Sequence, residues 1–221
     1  CCKAGLLLGC KINKYSQWDR KNYFYPDMSK NYQITQNDYP LCSNGSVETE
    51  VNGKLKKFFI ERIHQEENAA KNTHDGKASN VDYNRAGTAL MEIVTEPCMH
   101  SADEALAYMT LIKQILQYGN ISDCDQEKGQ MRSDVNISVR LKGEEKLGAK
   151  VEIKNMNSFS FIVDAINYES QRQIDILSSG GVVEQQTRGY DSSRGETFLQ
   201  RTKEDAHDYR YFPDPDLLPL N

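Results

Sequence analysis

Acidic, basic and imidazole side chains occur at spacings that could hold a metal ion and phosphate groups. The stretch Glu61–Glu67 (ERIHQEE) puts carboxylates, an arginine and a histidine in one predicted strand. Glu92 is a single carboxylate inside the apolar run 90–94, where burial is costly unless the group is paired or metal-bound. An ion pair with lysine or arginine explains Glu92 as well as a metal does. Arg210 lies among aromatic residues, where it could stack on a ring or contact a phosphate.

A second polar set falls on two strands predicted between residues 130 and 154. Alternation puts Asp134, Asn136, Glu152 and Lys154 on polar strand faces. A solvated sheet face is the simpler interpretation. If the two faces coincide, the carboxylates could hold Mg²⁺ and the lysine could neutralise phosphate oxygens. The pattern is compatible with phosphoryl transfer but does not establish it.

Short strands and two helices have to position these groups. Asn52-Gly53 between alternating segments predicts a hairpin with a type I′ turn. The capping box that starts at Ser101 opens a helix that ends near Tyr118, and a second helix starts near Asn157 or Ser158. The remaining predicted elements are an apolar helix within 1–12, strands at 47–51, 55–63, 81–83, 89–95, 130–141 and 149–154, two or three strands within 182–212, and a polar loop at 71–80.

These elements predict an α+β fold with a mainly antiparallel sheet flanked by helices. Neither parallel βαβ repeats nor a glycine-rich nucleotide loop is expected from the pattern. The second helix ends at Gly180-Gly181. Helical spacing predicts that its buried face consists of Phe159, Ile162, Val163, Ile166 and Ile174.

Composition limits the classes of protein that remain. The net charge of −5 over 221 residues argues against a generally basic nucleic-acid coat. No apolar run approaches the roughly 18 residues that span a bilayer, so no membrane association is expected. The six cysteines form no C-x-x-C pair, which predicts free thiols rather than a zinc site or a disulfide framework.

Long motifs along the whole chain resemble the B-type component of the aspartyl/glutamyl-tRNA amidotransferase, the GatB family. The related archaeal GatE family shares part of this core. The resemblance implies a glutamine-synthetase/guanidino-kinase-like fold. The matching motifs are RKNYFYPD (20–27), YQITQ (32–36), RIHQEENAAK (62–71), NRAGTALMEIVTEP (84–97), MRSDVNISVR (131–140), EIKNMNSF (152–159), QQTR (185–188) and DYRYFPDPDLLPL (208–220).

The resemblance implies an ATP- and Mg²⁺-dependent ligase. Such an enzyme phosphorylates the side-chain carboxylate of glutamate on tRNA(Gln), or of aspartate on tRNA(Asn). Ammonia from a partner amidase, the A-type component of the amidotransferase, then displaces the phosphate, and a small C-type component joins the other two. The misacylated tRNA is thus a substrate, and the compartment would be a bacterial cytoplasm or an organellar matrix.

The resemblance also assigns roles by motif position. It implies metal ligands at Glu67, Glu92 and Asp134, with Glu152 as a further candidate. Lys21, together with Glu67 and Asp134, is a candidate catalytic residue, and His64 is a candidate partner of a ligand. Candidate phosphate contacts, from charge and motif position, are Arg132, Lys154 and Arg210.

Residues 1–221 are expected to form the catalytic (cradle) domain of such a protein. The resemblance implies that the family's first strand, with a Glu-x-His motif, and the helical and tail domains lie outside this sequence, so that the isolated chain would be inactive. Two alternatives remain open, a non-catalytic docking segment and a GatE-type kinase with a different amidase partner.

Overall fold

The computed structural model describes residues 1–76, 78–156, 158–202 and 208–221. Two compact units make up the chain. The first unit comprises Cys1–Glu48, Lys57–Cys98 and His207–Asn221, and the second unit comprises Thr49–Lys56 and Met99–Ala206. None of the described helices combines the length and apolarity needed to cross a bilayer.

Three helices and thirteen strands are formed by the described residues. In chain order they are α1 (Cys2–Leu7), β1 (Lys11–Ile12), β2 (Asp19–Asn22), β3 (Tyr32–Thr35), β4 (Cys42–Val51), β5 (Lys54–Glu67), β6 (Lys71–Asp75), β7 (Ala78–Asp82), β8 (Ala89–Thr95), α2 (Ala102–Tyr118), β9 (Ser133–Ile137), β10 (Val151–Met156), α3 (Phe159–Ser178), β11 (Gln186–Asp191), β12 (Glu196–Thr202) and β13 (Phe212–Pro213). The α+β class with mainly antiparallel pairing is thereby confirmed.

A four-stranded sheet in the order β1-β4-β5-β8 organises the first unit. The predicted hairpin between β4 and β5 is confirmed, with φ of 49° at Asn52 and 76° at Gly53, as a type I′ turn requires. After the turn, β5 contributes three side chains that are at most 1% exposed, those of Phe58, Ile60 and Ile63. A three-stranded sheet, β13-β2-β3, and the β6–β7 hairpin complete this unit.

A β-bulge in β5 determines which side chains of this strand face the core. Ile60 pairs with Thr95 but Arg62 pairs with Val94, so β5 contains one extra residue between these pairs. The extra residue shifts the alternation of side chains by one position, so even-numbered residues before the bulge and even-numbered residues after it lie on opposite faces of the strand. Phe58 and Ile60 therefore face the core, whereas the even-numbered residues that follow face the other way.

The second unit contains a four-stranded sheet, β12-β11-β10-β9, with helices α2 and α3. Ile137, Ile153, Met156, Ile162 and Ala165 form its apolar core. The β9–β10 hairpin is confirmed by antiparallel pairing. The helix starts are confirmed at Ser101 and Ser158, whose hydroxyls accept the backbone N–H of the third following residue; Asn157 lies outside the described residues.

Some of the predictions about elements are wrong. The polar loop at 71–80 is a hairpin, because β6 and β7 pair through their backbones, although most of the side chains described on these strands are exposed. Strands β10 and β11 pair in parallel, and α3 connects them as a βαβ unit. In α3, Ile174 is 42% exposed, whereas the polar residues Glu169 and Gln173 are buried.

Candidate functional site

Three ligand-type side chains meet in the first unit where β5 pairs with β8. His64 lies directly opposite Glu92 in the antiparallel register, so both side chains project from one face, and Glu66 follows two residues after His64 on that face. The Nε2 atom of His64 is 3.2 Å from Oε2 of Glu92 and 3.3 Å from Oε1 of Glu66. We call these three residues the acidic cluster.

Burial differs within the acidic cluster. His64 is only 3% exposed, whereas half of the Glu92 side chain is accessible to solvent. The prediction that Glu92 is buried in an apolar run is therefore wrong, because alternation along β8 turns this position away from the core. Among the described residues, the close partner of Glu92 is the imidazole of His64 rather than a lysine or arginine.

Electrostatics favour charged forms in this cluster. Burial lowers the pKa of His64, but hydrogen bonds to Glu66 and Glu92 outweigh it and raise the pKa above its usual value. The hydrogen bond from His64 lowers the pKa of Glu92 despite its partial burial, and the positive charge of Lys21 lowers it further. The carboxylate of Glu92 is thus favoured in its anionic form.

The donor set of the cluster suits a divalent cation. Among the described residues, these three form the one group of histidine and carboxylate ligands whose ligand atoms all lie within 4.8 Å of one another. Mg²⁺ prefers oxygen ligands and keeps several waters, so the carboxylates of Glu66 and Glu92 fit it. The second ring nitrogen of His64 is buried and has no hydrogen-bond partner among the described residues, and Nε2 is the atom that faces both carboxylates.

Lys21 approaches the acidic cluster from β2. Its ammonium nitrogen lies 4.6 Å from the ring centroid of Tyr209. Tyr209 in turn packs edge-on against Tyr23 and beside Tyr211. Burial raises the pKa of Tyr211, and neighbouring Tyr209, Glu66 and Glu92 raise it further. Lysine, tyrosines and carboxylates therefore share one environment within the first unit.

Glu67, a predicted metal ligand, lies on the opposite face of β5. Its Oε1 atom accepts the backbone N–H of Ile34 at 2.8 Å and forms an ion pair with Lys30. The residue is 8% exposed, and its backbone carbonyl accepts the side-chain amide of Gln33. Glu67 is thus tied to β3 and its preceding loop, separate from the acidic cluster next to it in sequence.

The second unit holds the other predicted ligands. The ammonium of Lys154 lies 3.6 Å from Asp134 and 3.5 Å from Glu152, so the polar faces of β9 and β10 coincide as the alternation indicates. Thr187 donates to Glu152 at 3.4 Å. Arg132 is exposed just before β9. The predicted set of acids therefore divides, with Glu92 and Glu67 in the first unit and this pair in the second.

Arg210 lies in the first unit and is 82% exposed in its side chain, with its guanidinium 3.3 Å from Asp208. The cation that stacks on the aromatic residues of this segment is Lys21. Arg210 has a φ of 45°, so its contribution to the fold lies in the turn that its backbone makes.

Sequence reasoning missed Glu66 as a ligand candidate. The signal for it was the spacing of two between His64 and Glu66, which puts them on one strand face, whereas Glu67 must lie on the other. Motif position alone favoured Glu67. The sequence does not show the register between β5 and β8, which brings Glu92 opposite His64.

Known proteins resemble the chain over its whole length. The family described as the GatB/GatE catalytic domain matches residues 1–221. The B subunit of the aspartyl/glutamyl-tRNA(Asn/Gln) amidotransferase of Opitutus terrae is 57% identical over 225 residues, which cover 99% of this chain and 46% of that protein. Proteins of the same name are 56% identical in Persephonella marina and 54% in Caldicellulosiruptor saccharolyticus, covering 99% and 98% of this chain and 46% of each protein. The chain spans less than half the length of these relatives.

Proposed function

The chain belongs to the GatB/GatE catalytic domain family, and on that premise we propose that it carries the kinase site of a tRNA-dependent amidotransferase. The parent protein would phosphorylate the side-chain carboxylate of Glu-tRNA(Gln) or Asp-tRNA(Asn) with ATP. Ammonia from the A-type amidase would then displace phosphate, in a complex joined by the small C-type component. Such a ligase would act where translation occurs, in a bacterial cytoplasm or an organellar matrix.

Carboxylate activation explains why a kinase step is needed. Oxide or hydroxide is a poor leaving group, so ammonia does not displace it from a carboxylate at a useful rate. Transfer of the γ-phosphoryl group of ATP to a carboxylate oxygen gives an acyl phosphate and ADP. Attack by ammonia on the carbonyl carbon then expels inorganic phosphate and leaves the amide. Since an acyl phosphate also reacts with water, the site must exclude bulk solvent.

The single observation that carries the proposal is the acidic cluster with Lys21 beside it. Glu66 and Glu92 would hold Mg²⁺, which when bound neutralises phosphate oxygens and orients the transferred group. His64 holds both carboxylates through Nε2. Lys21 acts electrostatically on Glu92, and its side chain would stabilise negative charge that develops during transfer.

Other parts of the proposal rest on motif position. Glu67, Asp134 and Glu152 as metal ligands, and Arg132, Lys154 and Arg210 as phosphate contacts, stay predictions. The glutamine-synthetase/guanidino-kinase-like fold is likewise proposed, supported by the mainly antiparallel sheets and their helices. A GatE-type kinase with another amidase partner falls in the same family description.

The test uses the full-length parent protein assembled with the amidase and the small C-type component. Formation of Gln-tRNA(Gln) or Asn-tRNA(Asn) should require both ATP and Mg²⁺. We expect Glu92→Ala to lower amidation at least about tenfold by removing a metal ligand. The metal ligands predicted from motif position are tested separately, by Glu67→Ala and Asp134→Ala, each of which should abolish phosphorylation. Glutamine hydrolysis by the amidase should persist in each variant.

A matched control is Glu48→Ala, which removes an exposed carboxylate paired with Lys57 on the same sheet. It should leave amidation unchanged. Amidation without ATP, or a normal rate in Glu92→Ala, would contradict the proposed site. Wild-type protein that docks the partners but binds no Mg²⁺-ATP would favour the docking alternative.

A further inference from the structure

The contact between Lys21 and Tyr209 is a second feature of the candidate site, and it is made by a segment far away in sequence. The ammonium nitrogen lies 4.6 Å from the ring centroid, within the range of a cation–π interaction. The same ammonium acts electrostatically on Glu92. The ring of Tyr209 therefore holds the Lys21 ammonium at a position where its charge interacts with that of Glu92.

The backbone around Tyr209 is fixed independently of its ring. Asn22, the neighbour of Lys21 on β2, donates its backbone N–H to the carbonyl of Tyr209 at 2.9 Å, and its side-chain amide donates to the carbonyl of Arg210 at 2.8 Å. Arg210 adopts a left-handed φ of 45°, and its N–H donates to the Asp208 carboxylate at 3.2 Å. The turn thus presents the ring to Lys21 before any ligand arrives.

Neighbouring tyrosines limit the movement of the ring. Tyr23 lies with its ring centroid 6.3 Å away at 79°, and Tyr211 lies 6.0 Å away at 59°. The edge-to-face contact with Tyr23 and the tilted contact with Tyr211 stabilise one orientation of the Tyr209 ring. The ring of Tyr209 is therefore a fixed surface, against which the flexible lysine side chain loses rotamer freedom.

An aromatic support has a different effect on lysine than a carboxylate would have. A ring face attracts the ammonium but adds no formal negative charge, so the cation keeps its attraction for an anionic group. We propose that Tyr209 is a positioning residue that holds the Lys21 ammonium toward the acidic cluster and leaves its charge available to a phosphate. This inference rests on the proposed function of the same site.

The first test measures geometry without activity. In the full-length protein with its partner proteins, lysines are converted to ¹³C-dimethyl-lysine, and the Lys21 signal is assigned by its loss in Lys21→Arg. The ring current should shift the Lys21 methyl resonances upfield. We expect Tyr209→Leu to remove this shift and Tyr209→Phe to keep it. A Lys21 resonance at the position of exposed lysines in the wild type would overturn the inference.

The second test measures coupling between the two side chains. Tyr209→Leu should lower kcat for amidation about 3- to 30-fold, in line with the strength of a cation–π contact, whereas Tyr209→Phe should stay near the wild-type rate. In a Lys21→Met background, Tyr209→Leu should have no additional effect. If Lys21→Met has no measurable rate, the methyl shift of the first test decides between the two outcomes.

A matched control removes another ring beside a lysine. Phe59→Leu deletes the ring that lies 5.8 Å from Lys57 on β5, and it should leave kcat unchanged. Equal loss in Tyr209→Leu with and without Lys21 would mean that the ring only supports the fold, and would overturn the inference. If wild-type protein shows the methyl shift but no ATP-dependent amidation, the proposed function fails while the positioning of Lys21 stands.

Discussion

Among the described residues of the second unit, Glu169 is the most completely buried carboxylate, with no solvent exposure. It accepts two hydrogen bonds from Arg172, at 2.7 and 2.9 Å, one from Gln173 and one from the hydroxyl of Thr197. Arg188 of the QQTR stretch lies 3.5 Å away. A single residue on α3 thus connects the helix to β11 and β12, where apolar packing was expected.

Replacing Glu169 should destabilise the second unit in a pH-dependent way. Burial raises the pKa of Glu169, but hydrogen bonds from Arg172, Gln173 and Thr197 lower it below the usual 4.5 overall. A lowered folded-state pKa gives stability that is present above the unfolded pKa and is lost as pH falls through the folded one. We expect Glu169→Gln to cost about 3 kcal/mol at pH 7, because it leaves two arginines without their carboxylate, and less below about pH 4.5.

Urea unfolding followed by circular dichroism measures this effect, since the two long helices belong to the second unit. Asp164→Asn on α3 is the matched control, because that acid is exposed and its replacement should stay within about 0.5 kcal/mol. A destabilisation by Glu169→Gln that is constant from pH 7 to pH 3 would contradict the role of the charge.

At the scale of elements, α2 begins with a reciprocal set of hydrogen bonds. The hydroxyl of Ser101 accepts the N–H of Glu104 at 3.1 Å, and the Glu104 carboxylate accepts the N–H of His100 at 2.8 Å. Lys56 pairs with the same carboxylate at 2.9 Å. Glu104 therefore accepts a backbone N–H at the helix start and also connects α2 to Lys56, which lies in the part of the β4–β5 hairpin, Thr49–Lys56, that belongs to the second unit.

Ser101→Ala should lower the free energy of unfolding by about 1 kcal/mol, because the first turn of α2 loses a hydrogen-bond acceptor. Ser101→Asp should retain the stability, since its carboxylate can accept the same N–H and also suits the positive end of the helix dipole. Urea midpoints from the helical signal compare the two variants. If Ser101→Asp were as unstable as Ser101→Ala, the capping contact would not be the cause.

At the scale of the whole molecule, residues from both ends of the chain meet in the first unit. Strand β13 pairs with β2, and Ser16 and Leu220 exchange backbone hydrogen bonds of 3.0 and 2.9 Å. The carboxylate of Asp214, 2% exposed in its side chain, lies 2.9 Å from Nε of Arg20. The segment that carries Tyr209 is thus anchored to the strand that carries Lys21.

Asp214→Asn should loosen this anchor. Burial raises the pKa of Asp214, but Arg20 and backbone N–H groups lower it overall, so the group is charged at neutral pH and its loss removes a charge-assisted contact. We expect hydrogen exchange of amides within 212–220 to accelerate about tenfold or more. Asp216→Asn, whose carboxylate is 81% exposed, should change little. Equal exchange in both variants would contradict the anchoring role of Asp214.

Much of the local structure could be predicted from the order of the residues. The Asn52-Gly53 turn and the starts of α2 and α3 depend on contacts between near neighbours, and so they are readable without tertiary information. The β6–β7 hairpin was missed because its exposed strands carry no hydrophobic alternation. The prediction of the buried side of α3 was partly wrong, because Glu169 and Gln173 are buried through hydrogen bonds to polar groups outside the helix.

The sequence by itself determined the family, since long motifs occur in order between residues 20 and 220 and the family match covers residues 1–221. It also determined that His64 and Glu66 share a strand face and that Glu67 does not. Only the tertiary structure decided which acids meet. The bulge after Ile60 turns the strand face of His64 and Glu66 away from the core, and the register between β5 and β8 then sets Glu92 opposite His64. Alternation depends on neighbouring residues, whereas bulges and register depend on a partner strand more than twenty residues away.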